Sequence, residues 1–171
     1  YANNIGLYGV SIGLIKDGRP WLGAVYFPEL KELFYCDGER AFFVEDAFGK
    51  EEHRHEIRPI DQDIGGQSIL LCNDSTFRVY DWDYKDCQVM VPACATVDLC
   101  WPAIGRACGG VFRSYLWDFA GSWPIFEKAG LKLRSMSTGQ ALEGLDLNAF
   151  DQDNHPWRLK DYYILSSQRN F

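Results

Sequence analysis

The stretch YLWDFAGSWPIFEKAG, residues 115–130, sets one carboxylate, Asp118, between Trp117 and the apolar residues Phe119, Ala120, Trp123, Ile125, Phe126 and Ala129. The apolar spacing predicts a helix over 117–129 with a buried face. Two readings of Asp118 follow. It is either a helix N-cap, accepting hydrogen bonds from the orphan N–H groups of the first turn, or a metal ligand. Gly121 stands where a capping box would place Glu or Gln. Pro124 lies beyond the first turn of a helix that starts at Asp118, so it predicts a kink there or a restart at Ser122. A lone carboxylate cannot decide between cap and ligand, so the flanking chain has to.

Downstream, LKLRSM from Leu131 reads as a strand, and DYYILSS (161–167) reads as a last buried one. Upstream, GGVFR (109–113) is a short strand and PACATVDLCWPAIGR (92–106) is a helix. Its packed face is Ala93, Ala95, Thr96, Leu99, Cys100 and Ala103, and Pro102 should shorten or kink it. QSILLC (67–72) is a short, nearly continuous apolar run, as expected of a parallel strand buried on both faces. NDSTFRVYD offers caps and then a short helix, and CQVMV a further strand.

The pattern before residue 60 is different. LYGVSIGLIK (7–16) alternates, with Tyr8, Val10, Ile12 and Leu14 on an apolar face and Gly9, Ser11 and Gly13 on a very small one. Asp17-Gly18 is a hairpin signal, WLGAVYF the return strand, Pro28–Lys31 a turn, and ELFYC-DG-RAFFVE a second hairpin. One more strand is expected at 53–58. The reading is therefore an α/β fold: antiparallel hairpins in residues 1–60, then a mixed, mostly parallel sheet flanked by helices in residues 61–171.

Bulk composition narrows the function. The 171 residues are 47% hydrophobic and 15% aromatic, which is a folded composition. A net charge of -7 without a local basic patch argues against a nucleic-acid partner. No apolar run approaches a membrane span. The six cysteines, Cys36, Cys72, Cys87, Cys94, Cys100 and Cys108, form no CxxC pair and sit among apolar or small residues, as reduced thiols do. A cytoplasmic location is expected. His53 and His55, ringed by charge, read as a solvated edge strand or loop rather than a metal pair. The chain lacks an initial Met and enters a strand pattern almost at once, as though cut from a longer protein.

Two segments carry a resemblance. VSIGLIKDGRPWLGAVYFPELKELFYCDGERAFF closely resembles the hairpins of the inositol monophosphatase family, the Mg²⁺-dependent, lithium-sensitive sugar-phosphate phosphatases. ACATVDLC…IGRACGGVFRSYLWDFAGSWPIFEKAG resembles that family's later half, where a Gly-Ser/Thr-Ala helix start precedes a strand, Trp-Asp, an apolar helix and Glu-Ala-Gly-Gly. The resemblance implies a layered α+β sandwich of the sugar phosphatase type. It implies Mg²⁺ ions held by carboxylates, activating a water against the phosphate monoester of a small metabolite. Asp118 then matches the Trp-Asp metal ligand, ionised at a helix start and held in place by Trp117.

The departures from the family are equally specific. Its Asp-Pro-Ile/Leu-Asp-Gly-Thr metal motif is absent, as is an upstream Glu that also ligates metal. In the family the Asp-Gly-Thr motif falls just before the residues that match Tyr1–Asn4. No complete catalytic set is therefore present, and the chain by itself is expected to be inactive. Gly-Ser/Thr-Ala becomes Ala93-Cys94-Ala95, which leaves Cys94 and Ala95 as a substrate wall with a thiol in place of a hydroxyl. A Glu that bonds sugar hydroxyls in inositol-specific members becomes Arg113, which prefers carboxylate or phosphate. Arg113 is either a second substrate-binding residue or a charge at an exposed strand end. The parent protein is read as a phosphoric monoester hydrolase for an inositol phosphate or related sugar or nucleotide phosphate. A catalytically degenerate regulatory module and a purely structural domain stay open beside it. The strand at 7–16 would lie on a sheet edge and invite a homodimer or other self-association.

Overall fold

The computed structural model describes residues 5–60, 63–81, 83 and 86–170. Tyr1–Asn4 and the boundary at 60/61, where the sequence divides the chain, fall on or against positions outside the described residues.

The first half is an antiparallel meander. Strands β1 (Val10–Lys16), β2 (Arg19–Phe27), β3 (Glu32–Cys36), β4 (Ala41–Glu45) and β5 (His53–Ile57) lie in that order in one sheet. Asp17 and Gly18 both take positive φ, 51° and 73°, between the paired Lys16 and Arg19. That is the backbone a two-residue hairpin of the type I′ class requires. At the second hairpin, Asp37 Oδ1 accepts from the N–H groups of Glu39 and Arg40 at 3.0 and 2.8 Å, so the turn is built by its own side chain. His53 and His55 lie on the exposed edge strand β5, and His55 Nε2 is 3.4 Å from Glu45 Oε2.

The second half holds strands β6 (Ile69–Cys72), β7 (Gln88–Met90), β8 (Gly109–Phe112), β9 (Leu131–Ser135) and β10 (Tyr163–Ser167), in the order β7-β6-β8-β10-β9. β6 runs parallel to β7 and β8, while β10 runs antiparallel to β8 and β9. The sheet is mixed, as expected, but only half of its pairings are parallel, which corrects the mostly parallel reading. The periodicity of a buried strand is blind to its direction, and DYYILSS is buried enough to look like a parallel one.

Helices are few and short among the described residues. They are α1 (Ala95–Cys100), α2 (Leu116–Phe119) and α3 (Trp123–Lys128), with 3-10 turns at Asp74–Arg78, Pro102–Ile104 and Leu147–Ala149. They cover one face of the second sheet. The other face carries a smaller cluster of Leu70, Cys72, Cys108, Val111 and Tyr162, roofed by Tyr80 and Cys87 rather than by a helix. Tyr162 meets Tyr80 edge to face at 5.4 Å and donates to Ser75 Oγ at 2.9 Å. Pro102 ends α1 as expected. The single helix expected over 117–129 is two: α2 stops at Phe119, and α3 restarts after Ser122 with Pro124 in its first turn, where its missing N–H costs nothing.

That break is what joins the two halves. The large side chains of α2 and α3, Phe119, Trp123, Ile125 and Phe126, are fully buried in one core with Val25, Phe27 and Phe34 of the first sheet and Phe112, Leu133 and Leu165 of the second. Ala120 and Gly121, in the break, lie backbone to backbone on β1 and β2. A methyl on Gly23 would sit 2.0 Å from the Gly121 carbonyl oxygen, and one on Gly13 2.4 Å from that of Ala120. The small face of β1 is thus the one that lies against the helix break. Its apolar face is exposed: Val10 55%, Ile12 68% and Leu14 50%. β1 is also an edge strand. A second tie is Arg106, whose two terminal nitrogens fork onto Glu32 of β3 at 2.7 and 2.9 Å while its guanidinium lies over Phe43 and Trp101.

Gly23→Ala should therefore destabilise the chain by about 1–3 kcal/mol, since the obstacle is backbone that cannot rotate away. Gly65→Ala, where a methyl meets nothing within 4 Å, should stay within about 0.5 kcal/mol of the parent. Urea unfolding of both variants checks this, and equal effects would contradict the close seam.

Candidate active site

Asp118 is the third residue of α2, not its N-cap. Tyr115 holds the N-cap position in extended conformation, and Asp118 Oδ2 reaches back to accept from the Tyr115 N–H at 3.0 Å. The carboxylate therefore does cap the helix start, from inside the first turn, and the hydrogen bond fixes its direction. Around it, Tyr115 and Trp117 stack at 4.6 Å and 8°, Arg158 lies over the Tyr115 ring, and Leu116 N–H donates to Trp157 C=O at 2.8 Å. Asp118 is half-buried. Burial pushes its carboxyl above the usual carboxylate range, and the Tyr115 N–H pulls it partly back. Desolvation thus works against the ionised form that a helix start favours.

Cys94 and Ala95 lie where α1 begins, and α1 packs against α2. They line a cavity of about 280 Å³ together with Asn73, Asp74, Val91, Ala93, Asp98 and Ser114. Ser114 immediately precedes Tyr115, so one wall of the cavity runs directly into the turn that carries Asp118. Cys94 Sγ lies 3.2 Å from Thr96 Oγ1. Arg113 follows β8 but does not line this cavity: its Nε donates to the Leu159 carbonyl at 2.9 Å. Sequence reasoning missed Asp98 and Asn73. Asp98 is a carboxylate at a packed position of the helix pattern ATVDLC, and that incongruity was the available signal.

Ala93 occupies the left-handed region at φ 55°. That backbone favours glycine, which is what the family pattern has at this position, so the Ala here is strained. Ala93→Gly should raise stability by roughly 1 kcal/mol, read as an increased urea midpoint with unchanged slope. A lower midpoint would show that the methyl packs better than its backbone suffers.

The residues present do not by themselves make a Mg²⁺ site. The Asp118 carboxylate offers hard oxygens in a fixed direction, but the described residues hold no group of three or more His, Cys, Asp or Glu able to share an ion. All six cysteines are free. No helix among the described residues is long and apolar enough to cross a membrane.

The inositol monophosphatase family model matches residues 1–169. The chain belongs to the inositol monophosphatase family. Over 133 residues it is 27% identical to an Aquifex aeolicus protein named fructose-1,6-bisphosphatase/inositol-1-monophosphatase, covering 76% of this chain and 50% of that one. It thus spans about half the length of the curated relative that it matches. Its fold resembles a staphylococcal IMPase-II at TM-score 0.68 and 19% identity, over 94% of this chain and 57% of that one. CysQ from Bacteroides thetaiotaomicron gives TM-score 0.67 at 17% identity, over 94% and 63%. SuhB from Bartonella henselae gives 0.66 at 19%, over 95% and 60%. Two further structures of the staphylococcal protein carry inositol monophosphate and 2′-AMP. The family's two-sheet architecture is therefore the architecture of this chain.

Proposed function

We propose that this chain is the substrate-wall portion of a Mg²⁺-dependent phosphatase acting on a small phosphate monoester, of the inositol phosphate or related sugar or nucleotide phosphate class. The observation that carries this reading is the placement of Asp118. Its carboxylate is directed by the Tyr115 N–H on a helix that packs against the helix bearing Cys94 and Ala95. Bound Mg²⁺ would supply Lewis-acid stabilisation of the transferring phosphoryl group and a water made nucleophilic near neutral pH. Within this chain, Asp118 would offer one oxygen to the ion. Cys94 and Ala95 would border the organic part of the substrate. Arg113 is proposed to meet a second anionic group of the substrate through its terminal nitrogens, with its Nε tied to Leu159. A complete centre would need further carboxylates, of the kind an Asp-x-x-Asp-Gly-Thr segment carries. The structures holding inositol monophosphate and 2′-AMP support the substrate class at the level of fold.

The test uses a protein in which this chain follows such a segment. Asp118→Asn keeps an oxygen for the Tyr115 N–H but removes the charge that the ion needs. Turnover should fall roughly a hundredfold or more while thermal stability barely moves. In the same assay Arg113→Glu should weaken a doubly anionic substrate and improve a polyhydroxylated one. Near-normal turnover of Asp118→Asn at saturating Mg²⁺ would overturn the ligand assignment and favour a catalytically degenerate, ligand-binding module.

A further inference from the structure

Trp117, the residue before Asp118, is 59% exposed, while Phe119, the residue after it, is fully buried. A large aromatic left in water next to a directed carboxylate asks for a reason, and Trp117 is not a loose side chain. Its ring lies on that of Tyr115 at 4.6 Å and 8°, a face-to-face stack, and the Arg158 guanidinium lies over the Tyr115 ring. The backbone under the stack is clamped as well. Leu116 N–H donates to Trp157 C=O at 2.8 Å, Leu159 N–H donates to Ser114 C=O at 3.0 Å, and Tyr115 and Arg158 form an antiparallel bridge between them. Trp157 takes φ 67° in this clamp, a left-handed backbone that a bulky residue seldom adopts.

A stack covers one face of each ring. With Tyr115 on one face of Trp117 and more than half of the residue in solvent, the other face of the indole is open. Among the described residues no second ring or cation lies on it. The chemistry of that face selects what it can hold. An indole presents a flat, electron-rich surface, which a planar heteroaromatic ring covers best. A nucleobase meets this description, since every base has a π-face and stacks on aromatic side chains in water. A nucleotide also keeps its base and its phosphate one ribose apart. Its two ends can therefore be held at neighbouring residues, the base at Trp117 and the phosphate on the Asp118 side.

We propose that the open face of Trp117 is a stacking subsite for the nucleobase of a nucleotide substrate, with Tyr115 as the positioning residue that holds the indole from its other face. The proposal rests on reading Asp118 as the ligand on the phosphate side. Within that reading it selects nucleotide phosphates over inositol and sugar phosphates. Because Tyr115 already orders the Trp117 ring in the free protein, little side-chain freedom is lost when a base stacks on it.

The experiment titrates the 171-residue chain with adenosine, myo-inositol and inorganic phosphate as separate probes, followed by the tryptophan indole N–H resonances and the adenine ring protons. Adenosine should shift the Trp117 indole saturably, with Kd roughly millimolar, and its own ring protons should move upfield as they enter the ring current. Inositol and phosphate should leave Trp117 unmoved. Trp117→Leu should weaken adenosine binding about tenfold or more with the thermal midpoint unchanged, because the side chain is exposed. Tyr115→Ala should weaken it less, and Tyr115→Phe, which keeps the stacked ring, should restore it. Four results would overturn the proposal: no upfield shift, full binding to Trp117→Leu, inositol moving the Trp117 indole in place of adenosine, or equal shifts at the exposed Trp21 and Trp157. The last would make the effect general to exposed indoles. Adenosine carries no phosphate and these readouts need neither metal nor turnover, so this subsite and the phosphatase reading can fail separately.

Discussion

The structure depends on how closely a broken helix can lie against a sheet. Ala120 and Gly121 form the break between α2 and α3, and they touch the backbone of β1 and β2 because Gly13 and Gly23 carry no side chains there. Gly121 is bound by the same constraint from the other side, since a methyl on it would lie 2.4 Å from Ser11 Oγ. Three glycines thus set one contact. That contact seats Phe119, Trp123 and Phe126 in the core shared by the two sheets. It also sets the start of α2, and with it the direction of Asp118.

The site inherits its strengths and gaps from this arrangement. The helix break holds α2 against α1, so a metal-capable carboxylate and a ligand-sized cavity lie on adjoining elements. Asp118 is directed, no metal-capable cluster surrounds it among the described residues, and burial raises its carboxyl. Asp98 is buried and unpaired. Ala93 is held in a left-handed backbone at the cavity rim. All three are unfavourable for an isolated chain.

Much of the fold was legible because local rules agreed with it. Asp17-Gly18 demanded a tight hairpin and Asp37 built another. Pro102 ended α1, and Pro124 forced a restart at Ser122. What was not legible depended on partners distant in sequence. The alternation of β1 identified two faces correctly but not which would lie against the helices. Hydrophobicity favours the Val10, Ile12, Leu14 face, yet the close approach of Gly121 selects the glycine face. The direction of β10 is likewise set by β8 and β9, not by its own residues. At the start of α2 the Trp-Asp context singled out Asp118, but the N-cap was placed three residues too late, because Tyr115 is a poor cap by type. Asp98 was passed over because it lies within an otherwise packed helix face.

The central proposal is that Asp118 would serve as one metal ligand in a centre completed by further carboxylates. Mn²⁺ tests it directly, because the ion substitutes for Mg²⁺ at oxygen sites and broadens nearby amide resonances. Titrated into the 171-residue chain, it should give no saturable site below about millimolar concentration. Titrated into a protein that joins an Asp-x-x-Asp-Gly-Thr segment ahead of this chain, it should broaden Tyr115, Trp117 and Asp118 at stoichiometric ion. A stoichiometric site in the 171-residue chain, or a joined protein whose Asp118 resonances stay sharp, would contradict the account.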